Sequence, residues 1–233
     1  MKASGLADKP QLGRRLIAEA LGSFFLFATV IGSGIMAAAL SGGNDAVALI
    51  GNTAATGAIL FVLITALGPI SGAQMNPAVS LVAASRREIG WGDAGAYIAA
   101  QLVGGIIGML AAHAMFDLPL LQMSDKARTG SGQWLSEAIA TFGLVLTIWG
   151  TAKYRPKAVA ASVALYITAA YWFTASTSFA NPAITVARSL TDSFSGIAPG
   201  DAPGFIVAQL VGAVLAALVV RALVDDQVTS HRH

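Results

Sequence analysis

Apolar residues run along this chain in six long stretches, approximately 14–40, 46–68, 93–115, 132–152, 158–177 and 204–224, none with a central run of charge. A helix needs about 20 apolar residues to cross the hydrocarbon core of a bilayer, so each stretch reads as a spanning helix. The gaps between them carry helix breakers: Ser41-Gly42-Gly43-Asn44-Asp45, Gly130-Ser131-Gly132, Arg155-Pro156-Lys157 and Pro199-Gly200-Asp201-Ala202-Pro203. The first stretch is too long for the core of a signal peptide and comparable ones follow, so it is read as a retained span. The polar ends, residues 2–11 and 225–233, are expected to be short and mobile.

Two segments interrupt this pattern. Ser71-Gly72-Ala73-Gln74-Met75-Asn76-Pro77-Ala78 lies between the second and third stretches, and Ser178-Phe179-Ala180-Asn181-Pro182-Ala183 follows the fifth. Each triplet Asn-Pro-Ala opens a short apolar run. Asparagine is a good N-cap and proline suits the first helical position, so each triplet predicts a helix start. About ten residues at 1.5 Å rise give roughly 15 Å, half the hydrocarbon core. The segments are therefore expected to enter the membrane and stop.

The chain also repeats itself. Residues 97–105 and 205–213 are identical at six of nine positions, the two triplets are 105 residues apart, and Ala18-Glu19-Ala20 answers to Ser136-Glu137-Ala138. Each half (approximately 12–115 and 132–226 of one domain spanning 1–233) holds three spans and a half-span. An odd number of spans turns the second half upside down, which makes an inverted repeat with its functional site expected near the midplane.

Composition agrees with this reading. Only 11% of the 233 residues are charged against 55% hydrophobic, where soluble domains carry about 25% charged residues. The mean hydropathy is +0.69. Lysines and arginines divide eleven to three: Lys2, Lys9, Arg14, Arg15, Arg86, Arg87, Lys153, Arg155, Lys157, Arg221 and Arg232 share one side with both termini, and Lys126, Arg128 and Arg188 lie on the other. That bias predicts cytoplasmic termini. Basic residues clustered beside apolar spans give no reason to expect nucleic acid. The absence of cysteine excludes a disulfide framework and thiolate chemistry.

Paired triplets, the Ser71-Gly72-Ala73-Gln74 lead-in and the two intramembrane glutamates resemble the major intrinsic protein (aquaporin and aquaglyceroporin) family over nearly the whole chain. The resemblance implies an all-α bundle of six spanning helices plus two re-entrant half-helices, a homotetramer in a lipid bilayer, and one passive pore per protomer. It implies a bacterial inner-membrane location, and neither a cofactor nor a metal. Opposed half-helix N-termini would place positive dipole ends at the pore centre, repelling cations. Asn76, Pro77, Ala78, Asn181, Pro182 and Ala183 are the expected pore motif, each asparagine tying its carbonyl end to backbone and offering its amide to a permeating oxygen. Glu19 and Glu137, costly in a membrane unless partnered, are expected to accept from the loop backbone. His113 reads as an interfacial residue.

Counted by the family's spacing, the narrow filter falls on Thr56, Ala169, Ser178 and Ile184. Water and glycerol channels of the family carry arginine directly after the second triplet; this chain has Ile184 there. The expected filter is wide, with no aromatic or charged member. The run Phe173–Ile184 resembles a bacterial branch associated with arsenical resistance. This implies small uncharged solutes such as arsenite and methylated arsenicals, with glycerol and water as the alternative. Arg188, one turn beyond Ile184, either lines the outer vestibule or serves the surface by reaching headgroups or Asp192. Three other classes fit the sequence less well. A coupled transporter would need a carboxylate at the midplane, which the triplets lack. An enzyme would need a titratable constellation that the sequence does not offer. A structural junction protein with a closed pore is the distant alternative.

Overall fold

Long apolar runs without internal charge fold into eight α-helices among the described residues. A computed structural model describes residues 10–225, and among them there is no strand. The polar ends, with Lys2, Lys9 and Arg232 from the charge count, lie outside the described residues. The helices are α1 Leu12–Leu40, α2 Asp45–Ser71, α3 Pro77–Ser85, α4 Trp91–Met115, α5 Ser131–Tyr154, α6 Val159–Phe173, α7 Pro182–Arg188 and α8 Ala202–Val220. A single π turn, Arg221–Asp225, extends α8.

Local chemistry sets the boundaries. Asn44 caps α2 by accepting from the Ala46 and Val47 amides, a common way to satisfy orphan N–H groups. Gly72 ends α2 in the left-handed conformation. Five helices (α1, α2, α4, α5 and α8) are long and apolar enough to cross a membrane. The sixth expected span is shorter than its apolar run. Its helix α6 has 15 residues, preceded by a 3-10 turn Pro156–Ala158. The chain leaves the helix at Phe173 because Thr174–Ala180 forms the irregular lead-in to α7.

Packing follows the repeat. In the first half α1 lies against α4 and α2; in the second α5 lies against α8 and α6, and α2 and α6 join the halves. Close approach in each half depends on glycine, Gly104 and Gly108 in the first and Gly212 in the second. A methyl group on Gly104 would fall on the Ala20 carbonyl, and one on Gly212 would fall on the Ala138 carbonyl. These pairs are the same position in the two repeats, and small residues at such crossings let apolar helices associate in lipid. Outward faces carry large apolar side chains such as Ile17, Phe25, Val103, Ile107, Leu165 and Val214, as lipid requires.

Candidate functional site

The two short helices start at the same place and run apart. Asn76 caps α3 by accepting from the Ala78 amide at 3.0 Å. Asn181 caps α7 by accepting from Ala183 at 3.0 Å and Ile184 at 3.3 Å. Pro77 and Pro182 occupy the first helical turn, where no N–H is needed. The two caps are tied across the repeat. The Asn76 amide donates to the Ala180 carbonyl at 2.7 Å, and the Asn181 amide donates to the Met75 carbonyl at 2.8 Å. An amide nitrogen carries two hydrogens, so each asparagine keeps one for a solute. The helices are nine and seven residues long, somewhat under the ten expected.

The lead-in loops are strained in the same way. Positive φ occurs at Gly72, Ala73 and Met75 and again at Thr177, Ser178 and Ala180, each pair being 105 residues apart. Non-glycine residues in that region cost of order 1–3 kcal/mol each unless the surroundings hold them. The two buried glutamates do so. Glu19 accepts from the Ser71 hydroxyl at 2.6 Å, the Gln74 and Met75 amides at 2.9 and 2.6 Å, and Gln101 at 2.8 Å. Glu137 accepts from the Phe179 and Ala180 amides at 2.9 and 2.8 Å and from Gln209 at 2.6 Å. Gln101 also donates to Ser80 on α3, and Gln209 to Thr185 on α7. These two glutamines lie at matched positions of the repeated nine-residue segment, so the repeat was the signal that could have found them.

A cavity of about 420 Å³ passes through this meeting point. Glu88, Trp149, Ala152 and Val159 lie at the end towards which α3 runs, and Ile184 and Arg188 at the end towards which α7 runs. Leu26, Val30, Leu60, Val163 and Ile167 give one apolar wall, and Gly72–Asn76 and Ser178–Asn181 a polar strip.

The expected constriction is corrected at one position. Thr56, Ser178 and Ile184 line the cavity, but Ala169 does not. Ala169 is exposed and shares the outer face of α6 with Leu165 and Trp172, both at least half exposed. The cavity face of α6 carries Val159, Val163, Ile167 and Tyr171 at four-residue intervals. Residue 169 sits two positions before 171, about 200° around the helix, which turns it away. Tyr171 takes its place, with its hydroxyl 3.3 Å from the Thr56 hydroxyl. Thr56 already donates to the Asn52 carbonyl at 2.8 Å, so Tyr171 is the donor between them. The four expected filter positions include no aromatic or charged residue; beside Thr56 the cavity is lined by the aromatic Tyr171 instead of Ala169, and Arg188, expected in the outer vestibule, lines it as well.

Arg188 and His113 also differ from their surface readings. Arg188 is 2% exposed, its Nε donates to the Ser195 carbonyl, and its guanidinium carbon lies 3.3 Å from the Phe179 ring centroid. Ion pairs among the described residues are Arg15–Asp93 and Arg86–Glu88, so the Arg188–Asp192 pair does not form. His113 is fully buried. Its ring nitrogens lie 2.8 Å from the Leu120 carbonyl and 2.7 Å from the Thr191 hydroxyl, which fastens α4 to the loop after α7.

Comparison with known proteins assigns the family. The model of the major intrinsic protein family matches residues 7–175 and 154–233. The chain belongs to the major intrinsic protein family. It is 59% identical to the aquaglyceroporin AqpS of Rhizobium meliloti (strain 1021), over 92% of this chain and 91% of that protein. It is 32% identical to the aquaporin AqpM of Methanothermobacter thermautotrophicus, covering 92% and 99% of the two. The aquaglyceroporin crystal structure from Plasmodium falciparum has the same fold, with a TM-score of 0.67 at 21% identity over 94% of this chain and 99% of that one. As a family member this protein is a multi-pass membrane channel for small solutes and not an enzyme.

Proposed function

We propose that the protein is a passive, homotetrameric channel for small uncharged solutes bearing several hydroxyl groups, with glycerol-like polyols and neutral trihydroxy metalloids such as arsenite as the two candidate cargoes. The observation that carries this reading is the two-sided lining of the cavity. A polyol can lay its C–H groups on the apolar wall formed by Leu26, Val30, Leu60, Val163 and Ile167 while its hydroxyls meet the strip of loop residues and the free amide hydrogens of Asn76 and Asn181. Thr56, Ser178 and Ile184 are the selectivity positions in this reading, with Tyr171 in place of Ala169. Arsenite and methylated arsenicals are the second cargo, favoured by isoleucine rather than a bulky cation beside the second triplet. The lysine and arginine bias places both termini in the cytoplasm of a bacterial inner membrane.

Stopped-flow light scattering on proteoliposomes tests this. Glycerol and arsenite should equilibrate faster than in empty vesicles, and water, glycerol, arsenite and methylated arsenicals should rank differently from a water-only channel. Vesicles carrying the folded protein that behave like empty ones toward all four would overturn the reading.

A further inference from the structure

Arg188 is a buried guanidinium without a carboxylate. No ion pair among the described residues includes it, although it is 2% exposed. An unpaired charge in such a place costs several kcal/mol unless something answers it. Its Nε is satisfied by the Ser195 carbonyl, and Phe179 covers one face. Its two terminal nitrogens have no hydrogen-bond acceptor among the described residues, and Arg188 lines the cavity.

The surroundings add positive charge rather than removing it. Arg128, also buried, lies 5.2 Å from the same Phe179 ring and donates to the Gly196 and Ser176 carbonyls at 2.8 and 3.2 Å. Lys126 donates to the Phe194 carbonyl at 2.8 Å. Burial, then the charges of Arg128 and Arg188, pull the Lys126 ammonium below its usual pKa, with Asp45 acting in the opposite sense. The nearby carboxylates are engaged elsewhere: Glu137 with the Phe179 and Ala180 amides, and Asp201 with the Arg128 amide at 2.8 Å. Ser178, lining the same cavity, has a buried hydroxyl with no protein partner.

We infer that the Arg188 end of the cavity is an anion-accepting subsite, in which the forked terminal N–H groups of Arg188 receive a small singly charged oxyanion, a carboxylate or a tetrahedral oxyacid. A guanidinium presents two parallel N–H groups that match two oxygens of such an anion. The anion supplies the missing partner of Arg188. The loop between α7 and α8 keeps the fork in place, because Ser195 holds Nε and the Ile197 amide closes back on the Arg188 carbonyl at 3.1 Å. A solute therefore meets a fixed donor set before it reaches Asn76 and Asn181. This inference rests on the channel reading above.

The test uses methanesulfonate, an oxyanion at any working pH that does not cross lipid as a neutral acid. Glycerol equilibration is measured in proteoliposomes of the whole protein with methanesulfonate at equal concentration on both faces, so that insertion direction does not matter. Dimethyl sulfone, of like size and shape but uncharged, is the matched control. Methanesulfonate should slow glycerol saturably and dimethyl sulfone should not. In Arg188→Gln, normalised to its own anion-free flux, the half-inhibiting concentration should rise by about tenfold or more. If that variant does not assemble, Arg188→Lys keeps the charge without the fork and should bind methanesulfonate more weakly. Wild-type flux that ignores methanesulfonate, or equal potency in the variant, overturns the subsite while leaving the channel. Absence of wild-type glycerol, water and arsenite flux overturns the channel reading and the subsite with it.

Discussion

The Asn76 amide donates to the carbonyl of Ala180 at 2.7 Å, 104 residues away in sequence. That bond and its partner from Asn181 to Met75 fasten the two half-helices at their starts. Asn76→Asp replaces the donor with an acceptor that faces a carbonyl oxygen. Asn181→Asp does the same in the other half. A buried group left without its partner costs about 1–3 kcal/mol, more when charged, so both variants should melt earlier in detergent and lose glycerol flux or leak cations. Wild-type melting, flux and ion tightness in both would remove the asparagines from the site.

Glu19 and Glu137 are predicted to be harder to replace than the asparagines. Glu19 accepts from four donors. Glu19→Gln keeps the volume but turns one acceptor oxygen into an NH₂ that confronts backbone N–H groups. Residues with positive φ at Ala73 and Met75 then lose the bonds that hold them. The expected outcome is little folded protein on size exclusion, with Glu137→Gln behaving alike. Normal yield and normal melting in either variant would show that the loops hold their shape without the carboxylate.

Much of this architecture was legible in the chain. Asn-Pro-Ala repeated at a fixed offset announces two helix starts, and one glutamate per half inside an apolar run calls for a backbone partner. What stayed hidden has physical causes. The spacing from the second triplet pointed to Ala169, but Ser162, Tyr166, Thr168 and Tyr171 are scattered around α6, so no single polar stripe marks which face meets the cavity. Tyr171 could be found only once the helix ended at Phe173 and the loop geometry was known. Arg188 and His113 resemble surface residues because their partners are backbone carbonyls, the Phe179 ring and one hydroxyl. Carbonyls leave no trace in a sequence.

Helix crossings give a prediction that does not depend on the cargo. Gly104→Ala and Gly212→Ala would drive a methyl group into the Ala20 and Ala138 carbonyls, which no rotamer change can relieve. Both should lower thermal stability markedly and cut the yield of assembled protein. Gly95→Ala, in α4 with open space around it, is the control and should be neutral or gain up to about 1 kcal/mol from helix propensity. Equal melting of all three would show that the crossings have slack that the packing does not reveal.

Ile184 offers the sharpest test of selectivity. It is buried at 4% exposure, sits in the first turn of α7, and lines the cavity together with Thr56 and Tyr171. Ile184→Arg puts a long cation there, one helical turn from Arg188. A second buried guanidinium beside Arg188 costs several kcal/mol unless backbone carbonyls or water answer it, so size exclusion of the variant precedes the flux measurement. Its added length occupies the space opposite Tyr171, and its guanidinium replaces an apolar wall that a solute's C–H groups would use. Water, small and all polar, should pass near the wild-type rate. Glycerol should slow, and arsenite and methylated arsenicals should slow more in order of bulk. Stopped-flow measurement of the four solutes on one batch of vesicles gives the ratios directly. If the variant assembles and every ratio to water stays at the wild-type value, Ile184 does not set which solutes pass, and the wall opposite Tyr171 is not the selective part of this channel.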